Sequence, residues 1–234
     1  MEFSNALSGV KILRAAAILS FCALILTSVL TLIGLIAPNS SLAVLTFMAL
    51  LVFCASVAVF VIRLVGVSRA ARDQSKFSDA RTVIIIGIVL SLLGGLLFQG
   101  NGVPDALAEL LVSACGLWAT VLIIKGILAF AELFRIEDMR LEGNRLIRVV
   151  LVSEGFTMAV NLLKALLPAS TGVSLILLIL TFLSLALQIW QLILFLRYLR
   201  NAIEMLTVGN PAIGIPGSVS LPHSIPSQDR DPEF

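Results

Sequence analysis

The chain has 234 residues, 59% of them apolar and 13% charged, whereas an ordinary soluble domain is about half apolar and about a quarter charged; this composition is not that of a normal soluble protein. Lys and Arg number 16 against 14 Asp and Glu, a net charge of +2, too small to make nucleic acid a partner. Cys22, Cys54 and Cys115 lie in apolar stretches without CxxC spacing, and the single histidine is His223 near the end. The sequence therefore points to no disulfide scaffold, zinc site or histidine-held haem, and no cofactor is expected.

A bilayer core about 30 Å thick is crossed by about 20 apolar residues of helix, whose amides must bond within their own segment because no water is at hand. Six stretches qualify, over residues 12–37, 42–66, 82–99, 105–134, 146–167 and 172–199. The expectation is an all-α, polytopic membrane protein with a six-helix transmembrane domain over 1–206. Lys11 and Arg14 precede the first run as they would in a secretory signal. That run, at about 23 residues, is too long for a signal's apolar region, and no small-x-small cleavage site follows, so it is read as a retained helix. It carries a mild polar line of Ser20, Thr27 and Thr31.

The second apolar run leads into a basic connection from Ser68 to Arg81, in which Ser78 or Asp79 is placed to cap the third helix. The third helix presents Gly87, Ser91 and Gly94, small residues that let backbones approach closely. The fourth contains Lys125. Residues 135–147 carry both signs of charge at helical spacing, which predicts a short surface helix breaking near Gly143.

In the fifth helix Ser153, Glu154, Thr157, Asn161 and Lys164 fall within an arc of about 100°. In the sixth, Thr181, Ser184, Gln188 and Gln191 cover about 80°. A carboxylate and an ammonium facing lipid each cost several kcal/mol, so these stripes should line a polar interior. Glu154 lies six residues beyond Arg148, or about 9 Å, and Lys125 ten before Arg135, or about 15 Å. A lysine stem spans that difference, which makes Lys125–Glu154 the expected ion pair. Lys164 is nearer the opposite face and is expected to snorkel outward, toward Asp105 or Glu109. From 207 to 234 five prolines among glycines and serines predict a disordered tail.

Connections 38–41, 100–104 and 168–171 contain no Lys or Arg, while 14 of the 16 basic residues sit on the other side. The positive-inside rule assigns that side, with both termini, to the cytoplasm. Anionic headgroups are a sufficient partner for its arginines, and a plasma or bacterial cytoplasmic membrane is the expected location. Arg14, Arg81 and Arg148 recur at spacings of 67 residues, which suggests three helical hairpins about a pseudo-threefold axis. No intramembrane histidine, aspartate pair or nucleophile motif supports catalysis, so the chain is not read as an enzyme. The leading expectation is a membrane protein that binds or passes a small solute or ion through an interior lined by helices five and six. Its rival is a scaffold or regulatory subunit whose polar stripes serve packing or a partner membrane protein.

Overall fold

A computed structural model describes residues 3–36, 42–97, 103–167 and 171–208. All the regular structure among them is helical: α1 Ser4–Ile36, α2 Leu42–Ala70, α3 Ser75–Leu97, α4 Val103–Leu133, α5 Glu137–Leu166 and α6 Thr171–Val208. All six helices are long and apolar enough to cross a membrane, as a multi-pass membrane protein requires. The connections 38–41 and most of 100–104 and 168–171, with the tail from 209 onward, lie outside the described residues.

The helices follow the apolar stretches closely at one end of the bundle and overrun them at the other. α1 starts at Ser4 rather than residue 12, α3 at Ser75 rather than 82, α5 at Glu137 rather than 146, and α6 continues to Val208 rather than 199. Each overrun lies at the arginine-rich end. Hydropathy marks where a chain meets lipid, whereas a helix stops only where its backbone does, and charged side chains are good helix formers. The same physics removes the expected break at Gly143, which lies inside α5. A Cβ there would come within 2.7 Å of both the Leu128 side chain and the Tyr198 hydroxyl, so glycine serves close packing and does not end a helix. Neither Ser78 nor Asp79 caps α3, which begins three residues before Ser78.

Consecutive helices pack against each other, and α6 returns to α1, closing a ring. α1 meets α2, and α3 meets α4, most extensively; α2 touches α3 least among these neighbours. The α1–α2 crossing is set by Gly9, where a Cβ would lie 2.6 Å from the Gly66 carbonyl and 2.8 Å from the Ala70 methyl. Small residues of this kind drive helix association in lipid, where apolar burial offers no net advantage. On α3 the expected small residues do the same, Gly87 against Cys115 and Gly94 against Ala108 of α4.

The core gathers at the arginine-rich end. It includes Val10, Leu13, Val67, Phe77, Ile123, Ile127, Leu146, Tyr198 and Leu206, each at most 3% exposed. Phe3, Phe77 and Phe130 add edge and stacked ring contacts at 5.4 and 6.4 Å centroid separation. Two local devices tie this end together. Asp73, in the turn between α2 and α3, accepts hydrogen bonds from the Ala6 amide (2.7 Å) and the Asn5 side chain (3.1 Å), capping α1 from outside its own helix. The α4–α5 turn closes with the Ile136 amide on the Ala131 carbonyl (2.9 Å) and places Arg135 at φ 57°, a conformation that glycine usually takes. Toward the other end the described apolar side chains turn outward, with Phe53, Leu92, Leu97 and Ile176 each more than half exposed. That outward apolar surface suits lipid contact.

Candidate functional site: a polar cavity among α1, α2, α5 and α6

Buried backbone in these helices is satisfied internally, so polar side chains inside the bundle must find partners in one another or in a polar space. Both solutions occur along the α5–α6 seam. Toward its far end Thr157 is the hub: its hydroxyl donates to the Ser153 carbonyl (3.0 Å), bonds the Ser184 hydroxyl (2.7 Å) and accepts from the Gln188 side-chain amide (3.1 Å). Here the stripes close on each other. Thr181 turns back on its own helix, donating to the Leu177 carbonyl at 2.6 Å.

One turn nearer the arginine-rich end the seam opens. Glu154 accepts from the Gln191 amide at 3.2 Å, and both residues face a cavity of about 430 Å³ that also meets Ser20 and Thr27 of α1 and Ser56 of α2. A second space, about 190 Å³, adjoins it and shares Ser20, Glu154 and Gln191. That second space reaches Arg63 of α2 and Thr120 of α4. The Arg63 guanidinium donates to the Thr120 hydroxyl at 2.6 Å, and Thr120 in turn donates to the Gly116 carbonyl at 2.9 Å. Arg63 and Glu154 interact electrostatically but make no direct ion pair. Both residues line this space, and with one Arg63 N–H spent on Thr120 and one Glu154 oxygen on Gln191, most of their hydrogen-bonding capacity is left unspent by these bonds.

Lys125 is not the partner of Glu154. Its side chain is exposed and makes no hydrogen bond or ion pair among the described residues. Measured from Arg148, Glu154 looks shallow, but α5 begins at Glu137, which puts Glu154 about 25 Å along its helix. Lys125 is eight residues from the end of α4 at Leu133, about 12 Å, and the 13 Å difference exceeds the reach of a lysine. Depth also says nothing of azimuth: Trp118, Lys125 and Glu132, spaced by sevens, form an outward stripe on α4.

Of the eight residues expected to line the interior, Glu154, Gln188 and Gln191 do so, Thr157, Thr181 and Ser184 are engaged in hydrogen bonds, and Asn161 and Lys164 are exposed. Lys164 makes no bond to Glu109, and the side chain of Asp105 lies outside the described residues.

Arg63 was hidden in plain sight, because an arginine near a helix end counts as a topological anchor. A signal for it does exist. Ser20, Arg63, Glu154 and Gln191 each stand six residues inward from an arginine: Arg14, Arg69, Arg148 and Arg197. That spacing corresponds to about 9 Å along each helix. Among the described residues, no group of three or more His, Cys, Asp or Glu side chains is assembled to hold a metal ion. Comparison with protein-family models, with curated proteins and with solved structures returns no match for this chain.

Proposed function

We propose that this six-helix protein sits in the membrane and binds or passes a small polar solute or ion through the cavity bounded by α1, α2, α5 and α6. The observation that carries the reading is the separation of Arg63 from Glu154 across a shared space. A charged pair in a low-dielectric interior is costly unless its lone pairs and protons are satisfied, and two unlike charges left apart need water or a solute between them. Packing alone would favour drawing them into contact. The cavity differs from the expected one in using α1 and α2 as well as α5 and α6.

The reading includes a topology. The arginine-rich end faces the cytoplasm with both termini, supported by the basic residues gathered there and by uncharged turns at the other end. Anionic headgroups meet its exposed arginines. Three hairpins related by a 67-residue repeat remain the proposed ancestry of the ring. The extensive α1–α2 and α3–α4 packing supports the first two hairpins, whereas α5 packs on α4 and α6 about equally, and the recurrence of Arg14, Arg81 and Arg148 supports the repeat.

A second reading, a scaffold or regulatory subunit without a solute path, draws on the Thr157–Ser184–Gln188 cluster, where polar groups satisfy one another and fasten two helices. Cysteine accessibility separates the two. In a background lacking Cys22, Cys54 and Cys115, Ser56→Cys should react with a water-soluble thiol reagent, while Leu92→Cys on the outward apolar surface should not. Protection of Ser56→Cys from both sides of the membrane would remove the solute path and leave the scaffold.

A further inference from the structure

We propose that the cavity takes a small zwitterion, with its carboxylate on Arg63 and its ammonium on Glu154 and Gln191; this rests on the solute-binding reading above. Three features of the space lead there. Opposite charges border the same 190 Å³ volume from α2 and α5, so a ligand seated there meets a donor fork at one end and a carboxylate at the other. Arg63 uses one N–H on Thr120 and keeps the rest of its planar fork, the geometry that matches a carboxylate. Gln191 gives its amide N–H to Glu154, which leaves its carbonyl Oε1 buried and without a partner. A carboxylate with an oxygen to spare, on a residue that lines this space beside Gln191, calls for a cation rich in N–H donors.

Charge neutrality selects the class. The cavity holds one positive and one negative side chain, so a lone anion or a lone cation would bring a net charge into a space poorly solvated by bulk water. A zwitterion matches both ends and adds none. Leu192 and Phe195 supply an apolar wall for a short aliphatic link between the two charges.

The test uses the full chain in lipid nanodiscs and reads the shift in Tm with glycine, β-alanine or 4-aminobutyrate, against propionate and propylamine at equal concentration. At least one of the three zwitterions should raise Tm, and neither single ion should. Arg63→Gln and Glu154→Gln should each weaken binding about 10- to 100-fold, the worth of one charge-assisted contact, and Gln191→Leu should weaken it less. If either single variant fails to fold, the uncharged double variant R63Q/E154Q, which leaves no lone charge in the site, should lose the Tm shift. The proposal is overturned if propionate or propylamine stabilises as well as the zwitterions, or if the double variant keeps the shift. Silence from all three zwitterions overturns it too. In that case reaction of Ser56→Cys with the aqueous reagent leaves the solute path standing, whereas protection of that cysteine removes the path and the zwitterion together.

Discussion

Removing both charges from the cavity should cost less than the two single removals added together. Arg63 and Glu154 interact without a direct ion pair, and at an effective dielectric of about 20 two unit charges a few ångströms beyond contact attract by about 2–3 kcal/mol, which water in the cavity lowers toward about 1–2 kcal/mol. Arg63→Gln also gives up the hydrogen bond to Thr120, about 1 kcal/mol, and leaves the Glu154 carboxylate with Gln191 as its remaining partner. The single variants are therefore expected to lose about 2–4 kcal/mol each, overlapping the lower part of the about 3–5 kcal/mol seen when a fully buried pair is broken. The double variant R63Q/E154Q should lose less than their sum by about 1–2 kcal/mol. Reversible unfolding by SDS in mixed micelles, followed through Trp118 and Trp190, provides the assay. A parallel cycle with Lys125→Met and Glu154→Gln should be additive, because Lys125 is exposed and makes no bond to Glu154. Additivity within about 0.5 kcal/mol at Arg63, or coupling at Lys125, would refute the assignment.

The same unfolding assay checks three structural points. Tyr198 is fully buried and its hydroxyl has no hydrogen-bond partner among the described residues, so Tyr198→Phe should stabilise by about 1 kcal/mol, relieving an unpaired polar group; a loss of stability would refute this. Gly143→Ala should destabilise by about 1–3 kcal/mol through overpacking against Leu128 and Tyr198, and the combination with Tyr198→Phe should recover part of it. Asp73→Ala should cost about 1–2 kcal/mol by uncapping α1, with faster amide exchange at Ala6 as its local sign.

The number of helices and their apolar cores were legible because the bilayer's demand on length is severe. Their ends at the arginine-rich side were not, since charges stop a helix from entering lipid without stopping the helix. That one ambiguity propagated: placing the start of α5 at 146 rather than Glu137 misjudged the depth of Glu154 and made Lys125 look within reach. The meeting of Thr157 with Ser184 and of Glu154 with Gln191 was legible from stripes on adjacent helices. Arg63 was not, because the positive-inside rule had already accounted for it. Asp73 and Arg135 act through turn geometry, which no periodicity encodes.

Cross-linking reads the arrangement at the centre of this account most directly. With Cys22, Cys54 and Cys115 replaced, the pair Arg63→Cys and Glu154→Cys should be joined by a short bifunctional thiol reagent in the intact membrane, and the pair Lys125→Cys and Glu154→Cys should not. Bridging of the second pair without the first would contradict a cavity shared by α2 and α5.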